Sequence, residues 1–177
     1  MAWNNTTAVG VDHPAANGPR LLLAEHHREI EAACDDLRAS TYEDDSFDLI
    51  ACYRSFEQAV REHMSAEEDV ILPAYAKADP EEADAIRTQH AALRHELYQL
   101  GVEVELHCVH AESLEQMVRT LRAHAGYEDQ GMYPWAQVHL PLHTSRELFV
   151  RLGRSLRKLA QRRRYAASQS PGPAAQH

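Results

Sequence analysis

Two similar stretches decide the fold of this chain: residues 63–73 read HMSAEEDVILP, and residues 124–134 read HAGYEDQGMYP. In each stretch a histidine precedes a glutamate by four residues, and a proline follows six residues after the glutamate. Residues four apart lie on the same face of an α-helix, so each pair of side chains points in one direction. The copies are 61 residues apart and predict an internal repeat with pseudo-twofold symmetry.

Helical periodicity extends outward from both stretches. Apolar residues recur at alternating steps of four and three along four segments, which is typical of helices that face a common core. The short connections at 38–46 and 74–79 favour antiparallel neighbours. We therefore expect an all-α protein, an up-down antiparallel four-helix bundle with an additional C-terminal amphipathic helix. The four stripes are Leu23, His27, Ile30, Cys34 and Leu37; Phe56, Val60, His63, Glu67 and Val70; Ile86, His90, Leu93, Leu97, Leu100 and Val104; and Met117, Leu121, His124 and Glu128.

Several residues mark where these helices begin and end. Asp79 is a predicted N-cap of the third helix, because its carboxylate can accept from the free N–H groups of the first turn. The second and fourth helices are expected to end near Pro73 and Pro134, since proline cannot donate to the helical ladder. The fifth helix is expected to begin at Thr144, with Glu147 completing a capping box.

The composition is that of a soluble globular protein: 44% of the 177 residues are hydrophobic and 25% are charged. No apolar run approaches the roughly 20 residues that span a bilayer, and no secretory signal is present, so we expect a cytoplasmic protein without a membrane partner. One domain is predicted over residues 20–165. The small, polar stretches at residues 1–19 and 166–177 are predicted to be disordered tails.

Charge is unevenly distributed. Residues 146–177 carry a net charge of +7, whereas residues 1–145 carry −16. An acidic body argues against nucleic-acid binding, while the basic C-terminal helix is either a solvated face or a dock for an acidic protein partner. The odd number of cysteines without a CxxC spacing argues against disulfides and thiolate zinc sites, so Cys34, Cys52 and Cys108 are each expected in the core.

Six metal-ligating side chains converge on the predicted bundle interior. Two carboxylates on core stripes are costly unless paired, and no Lys or Arg lies on those stripes. Four imidazoles and two carboxylates suit a pair of metal ions, each with two histidines and with bridging carboxylates. Iron is the best match, since zinc uses four ligands and magnesium and calcium prefer oxygen. The predicted cofactor is two iron ions with an oxo or hydroxo bridge, held by His27, His63, Glu67, His90, His124 and Glu128.

Four other histidines are alternatives to this ligand set or are expected outside it. His26 is an alternative to His27, but its stripe is a poorer core face. His95 is expected at the surface, because it points about 140° away from His90 on a helix. His107 and His110 form an HxxH pair that could bind zinc, although a polar loop between helices is the simpler interpretation.

The two HxxxE motifs and their leading histidines resemble the hemerythrin-like, or HHE cation-binding, family over roughly residues 20–136. The resemblance implies a non-heme diiron four-helix bundle that binds oxygen, nitric oxide or peroxide. Oxygen carriers of this family place a fifth histidine four residues after the one that matches His90, and Arg94 stands there in this chain. We therefore expect reaction with peroxide, oxygen or nitric oxide, as in oxidative or nitrosative stress protection, instead of reversible oxygen transport. The alternative is a non-catalytic module for sensing oxygen or nitric oxide, or for storing iron or oxygen.

Overall fold

The computed structural model describes residues 18–41 and 46–169, with side chains described for 18–41 and 48–164. Within these residues every regular element is helical and no strand occurs, which confirms the all-α prediction for this part of the chain. None of the described helices is long and apolar enough to cross a membrane. The elements are α1 (Pro19–Ser40), α2 (Ser46–Ala66), a π-helical turn (Glu67–Ile71), α3 (Leu72–Tyr75), α4 (Pro80–Glu105), α5 (Ala111–Gln130), α6 (Met132–His139) and α7 (Leu142–Gln169).

Helices α1, α2, α4 and α5 form a helical bundle. Helix α1 packs against α2 and α5, and α4 packs against the same two helices. Helix α7 packs against the outside of α1 and α2. Each of the four bundle helices therefore buries its apolar stripe against two of the others, as amphipathic helices require.

Two apolar clusters make up the core, and the histidines and glutamates of the predicted stripes lie between them. Along α1, His27 separates Leu23 of one cluster from Ile30 of the other. Along α4, the residues on either side of His90, one turn away in each direction, likewise belong to different clusters. The bundle thus encloses a polar layer between apolar side chains, which shields it from water.

Helix α4 begins as predicted. The Glu82 N–H donates to the Asp79 carboxylate at 2.9 Å, and Pro80 follows the cap directly. Such a cap satisfies an N–H group that has no partner inside the helix and contributes about 1 kcal/mol relative to alanine. The Glu82 side chain does not complete a capping box, because it accepts a hydrogen bond from the Tyr75 hydroxyl at 2.5 Å.

The helix that carries the first HxxxE motif does not end near Pro73, which corrects the prediction. It changes to a π-helical turn at Glu67, and the Leu72 N–H donates to the Glu67 carbonyl five residues earlier. The chain then continues through Pro73 as α3. A proline ring removes an N–H and clashes with the carbonyl four residues before it, here that of Asp69. The wider turn accommodates the proline, and such turns are frequent at functional sites.

The second motif is interrupted differently. Helix α5 ends at Gln130, and Gly131 adopts a non-helical conformation before α6 begins at Met132. The chain is therefore broken before Pro134 and helical again through it, which corrects the predicted end. A Cβ atom at Gly131 would overlap the carboxyl group of Glu82, so the glycine permits a close approach of the two segments.

Helix α7 begins at Leu142, two residues before the predicted start at Thr144. Glu147 does not act as a cap there, because it pairs with Arg151 at 2.8 Å. The predicted apolar side of the helix faces the bundle: Leu148, Leu152 and Leu159 are buried and Leu156 is partly buried. The helix runs to Gln169, four residues into the stretch that was predicted to be a tail.

Part of the basic side of α7 contacts acidic residues of the bundle, which accounts for some of the uneven charge of the chain. Three of its cations lie within 3 Å of carboxylates on α1, α2 and the π-helical turn. Partly exposed pairs of this kind each contribute about 0–1 kcal/mol, so they orient the helix more than they hold it. The pairs are Arg151 with Asp69, Lys158 with Glu62, and Arg163 with Asp36.

The cysteine prediction is correct for one residue only. Cys34 is buried in the core, Cys52 is half-buried, and Cys108 is exposed in the loop between α4 and α5. A single small side chain carries too little sequence pattern to reveal its burial. The predicted disorder of residues 1–17 and 170–177 falls outside the described residues.

Candidate metal centre

The structure brings the six predicted ligand residues together in the polar layer. They form two groups of four, and within each group one donor atom per residue lies within 4.8 Å of the other three. Both glutamates belong to both groups, whereas each histidine belongs to one. The first group is His27, His63, Glu67 and Glu128; the second group is Glu67, His90, His124 and Glu128.

The first group joins α1, α2 and α5. His63 Nε2 lies 3.2 Å from Glu67 Oε1, and His27 Nε2 lies 3.6 Å from Glu128 Oε2. The two imidazole rings are 4.3 Å apart between centroids. One oxygen of each carboxylate therefore faces this histidine pair.

The second group uses the other oxygen of each carboxylate. His90 Nε2 lies 3.3 Å from Glu67 Oε2 and 3.7 Å from Glu128 Oε1. His124 Nε2 lies 3.2 Å from Glu128 Oε1. Glu67 and Glu128 thus each turn one oxygen toward each histidine pair, which is the arrangement of carboxylates that bridge two cations.

The second histidine pair is held by side chains outside the group. His90 Nδ1 lies 2.9 Å from Glu68 Oε1, and the Arg94 guanidinium donates to Glu68 Oε2 at 2.7 Å. His124 Nδ1 lies 2.9 Å from the side-chain oxygen of Gln89. Metal-binding histidines commonly donate their second ring nitrogen in this way, which fixes the ring orientation and leaves Nε2 free for a cation. Arg94 therefore contacts Glu68 instead of adding a donor to the site.

Tyr133 inserts its hydroxyl into the first group. Its O–H lies 2.5 Å from Glu67 Oε1 and 2.8 Å from Glu128 Oε2. The same oxygen is 3.1 Å from His63 Nε2 and 3.3 Å from His27 Nε2. The phenol thus contacts every member of the first group.

His26 lies next to this group without joining it. Its ring stacks on that of His63 at 5.0 Å between centroids, and neither ring nitrogen has a hydrogen-bond partner among the described residues. The structure places His27 among the donors and His26 outside them. His26 is nevertheless fully buried, which the sequence did not predict. Burial lowers its pKa to about 3, so the ring is neutral near pH 7.

The second group leaves all four of its donor atoms without hydrogen bonds within the described part of the chain. These atoms are His90 Nε2, His124 Nε2, Glu67 Oε2 and Glu128 Oε1. All four residues are buried, and an unpaired buried polar atom costs about 1–3 kcal/mol. A cation bound between them would satisfy all four at once, so the residues present fit a metal ion.

No Lys or Arg of the described chain pairs with either buried carboxylate. Burial favours a raised pKa at Glu67, but His63 and His90 beside it outweigh burial and hold that pKa well below its ordinary value. Burial and the neighbouring charge of Glu67 raise the pKa of Glu128 to about 7. Two carboxylates in one layer therefore cannot both ionise freely without added positive charge.

The pKa values of the histidines are also shifted in opposite directions. Burial opposes protonation of His90, yet the adjacent carboxylates of Glu128 and Glu67 raise its pKa to about 10. Burial lowers the pKa of His124 to about 3 and that of His27 well below its ordinary value. Without metal, protons on part of the cluster balance the carboxylates. A metal ion must displace those protons, so metal affinity is expected to rise with pH.

Comparison with known proteins bears directly on this cluster. The family model of the Hemerythrin HHE cation binding domain matches residues 19–136, which is two thirds of the chain. The chain belongs to the hemerythrin HHE cation-binding domain family. The match covers all six donor residues of this HHE domain and ends before α7 begins. A search of curated proteins and a search of solved structures each found no match.

Three contacts of the HHE domain were not predicted from the sequence. Glu68 and Gln89 hold the second histidine pair, but an isolated glutamate or glutamine on a helix carries no signal for such a role. Tyr133 lies beside the second motif, but its contact with the donors was not predicted. The internal repeat could have indicated it, because Tyr133 lies 61 residues after Leu72 and so places a polar hydroxyl where the first half has an apolar side chain. As predicted, His95 is exposed, and the loop after α4 holds His107 and His110.

Proposed function

We propose that this HHE domain is a non-heme diiron protein that binds or reacts with oxygen, peroxide or nitric oxide in protection against oxidative or nitrosative stress. The observation that carries the proposal is the orientation of Glu67 and Glu128, each with one oxygen toward each histidine pair. Four imidazoles with two carboxylates suit iron better than magnesium or calcium, which prefer shells of oxygen ligands. The up-down antiparallel order of the helices and a domain over residues 20–165 belong to the same proposal. A cytoplasmic location stays a prediction.

The residues of the chain supply a buried layer of four imidazoles and two carboxylates in a fixed arrangement. Two iron ions bound there would supply the electrons and open positions that oxygen, peroxide or nitric oxide require. The carboxylates would contact both ions, and the Glu68 and Gln89 contacts hold His90 and His124 in place. The apolar clusters on both sides exclude water from the layer.

Arg94 supports reaction over reversible oxygen carriage. It occupies the place of the additional histidine of the oxygen carriers, and its guanidinium is bound to Glu68. An ion held by His90 and His124 would therefore receive two imidazoles and two carboxylate oxygens from the six donors. A coordination position would then remain for peroxide or nitric oxide.

The test is the rate of oxygen evolution from hydrogen peroxide by the iron-loaded protein, with metal-free protein as the control. We expect evolution that depends on iron and is slowed by Arg94→His at matched iron content, because the new imidazole competes for the open position. Arg94→Ala separates loss of the Glu68 contact from gain of the imidazole. A rate in Arg94→His that equals or exceeds that of Arg94→Ala would refute the open position as the cause of reactivity.

A non-catalytic sensing module is a second candidate, and one observation favours it. Five arginines of α7 are exposed and have no ion pair within the described residues: Arg146, Arg154, Arg157, Arg162 and Arg164. An acidic protein partner could dock on this face and respond to the ligand state of the metal centre. A stable, reversible oxygen complex in protein that leaves peroxide unchanged would favour sensing or storage over peroxide breakdown.

A further inference from the structure

Hydrogen bonding does not explain the position of the Tyr133 hydroxyl once a metal ion is bound to the first group. Its oxygen lies 2.5–3.3 Å from donor atoms of Glu67, Glu128, His63 and His27. A phenol can donate its one proton to the carboxylates and accept from a histidine N–H, so hydrogen bonds to all four atoms require both histidines to carry a proton on Nε2, the nitrogen that a bound metal needs free. The ring is fully buried, so water does not compete for the hydroxyl.

Packing does not explain the hydroxyl either. The corresponding residue of the first motif is Leu72, which is also fully buried and has no polar atom on its side chain. A leucine or phenylalanine at residue 133 would meet the same need for apolar volume. Burying a phenol instead requires a partner for its oxygen, and the partners here are the donors of the metal centre.

The local backbone directs Tyr133 toward this position. The non-helical Gly131 separates α5 from α6, so Tyr133 does not continue the helix face that carries Glu128. It returns instead to contact the Glu128 carboxylate five residues before it. The first motif has a π-helical turn at the matching place, so the two halves of the repeat differ here in both side chain and backbone.

The distances fit a shared coordination sphere. Imidazole and carboxylate ligands bind a first-row metal at about 2.0–2.2 Å, so neighbouring donors at right angles stand about 3 Å apart. We propose that Tyr133 is a seventh protein ligand, whose phenolate oxygen binds the iron held by His27 and His63. The proposal rests on the diiron function proposed above. Tyrosine is a known protein ligand of iron, which makes the assignment chemically sound.

Binding exchanges one bond for another. The Tyr133 O–H bond breaks, an O–Fe bond forms, and the proton leaves to solvent without any change in oxidation state. The iron beside His27 and His63 then has five protein donors, and the iron beside His90 and His124 has four. The two irons are therefore not equivalent, and an added small ligand is expected at the second one.

The experiment is the visible spectrum of protein loaded with ferric iron, combined with resonance Raman scattering. A phenolate bound to ferric iron gives a charge-transfer band and enhanced phenolate ring modes. Tyr133→Phe should lose both signals and keep the same iron content as wild type. Tyr127→Phe is the matched control, because Tyr127 lies near the second motif but is exposed, and it should keep both signals.

The outcomes separate this inference from the function on which it rests. Failure of the wild-type protein to bind two irons would overturn the diiron proposal itself. Two bound irons without phenolate signals would overturn only the role of Tyr133. Should Tyr133→Phe fail to fold, wild-type protein labelled with ring-deuterated tyrosine decides the matter. Enhanced modes that shift with the label support a bound phenolate, and enhanced modes that do not shift contradict it.

Discussion

Removing Arg94 is expected to weaken metal binding without removing any ligand. Arg94 donates to Glu68 at 2.7 Å, and Glu68 contacts His90 Nδ1 at 2.9 Å, so the arginine acts on the metal centre through two contacts. Burial favours a raised pKa at Glu68, but Arg94 and His90 lower it, so Glu68 stays charged near pH 7. Loss of the guanidinium weakens the charged acceptor that orients the buried imidazole.

The magnitude follows from the place of each residue in this chain of contacts. Changing residues that hold a ligand typically lowers metal affinity 10–100-fold, which is about 1.4–2.7 kcal/mol. Arg94→Ala leaves the Glu68 contact to His90 in place, so about 10-fold is expected. Glu68→Ala removes the contact itself and should approach about 100-fold. In metal-free protein the half-exposed ion pair contributes only about 0.2–1 kcal/mol to stability.

The assay is competition between the protein and a chelator for ferrous iron in the absence of oxygen, which reports the affinity of the weaker site. Arg87→Ala is the matched control, because Arg87 lies on the same helix and pairs with Asp84 at the surface. The expected order of affinity is wild type and Arg87→Ala, then Arg94→Ala, then Glu68→Ala. Affinities in Arg94→Ala and Glu68→Ala equal to that of Arg87→Ala would refute this role of the Glu68 contact.

Three further predictions concern stability. Removing metal should lower the melting temperature, because ions that bind only the folded state stabilise it; equal values for loaded and metal-free protein would contradict this. Leu152→Ala should cost about 2–5 kcal/mol in urea unfolding, since Leu152 of α7 is fully buried against the bundle, whereas Val150→Ala on the exposed side of the same helix should cost little. Metal-free protein should lose stability between pH 6.5 and 5. Burial depresses the pKa values of His26, His27 and His124, so only the unfolded chain gains these protons, at up to about 1.4 kcal/mol per pH unit for each. Protonation of Glu128 in the folded chain, where its pKa is raised to about 7, offsets part of this loss. His26→Leu should reduce the slope of stability against pH, and an unchanged slope would show that His26 does not contribute to it.

The sequence was sufficient to predict the helices and the convergence of the six side chains, because both depend on strong periodic patterns. Each of the four stripes is buried along its length, with His27 as the one half-buried member. A histidine and a glutamate four residues apart must share a helix face whatever the packing. The all-helical class and the juxtaposition of the donors therefore follow from local rules.

Other features depend on contacts between distant segments and were not predictable from local pattern. The π-helical turn at Glu67 and the break at Gly131 arise where a proline, a ligand and a neighbouring helix meet. Side-chain partners such as Gln89 for His124 join residues 35 positions apart. The sequence did not predict the burial of His26, because one helical stripe can include only one of two adjacent histidines.

The central claim is that the six donors hold two irons, and the iron content of purified protein tests it most directly. The account predicts about two iron atoms per chain in wild type and a clear loss in Glu67→Ala and His124→Ala. His95→Ala, which removes an exposed histidine of α4, should keep the wild-type content. Circular dichroism confirms that each variant is folded. Full iron content in both Glu67→Ala and His124→Ala would contradict the account and place the site elsewhere.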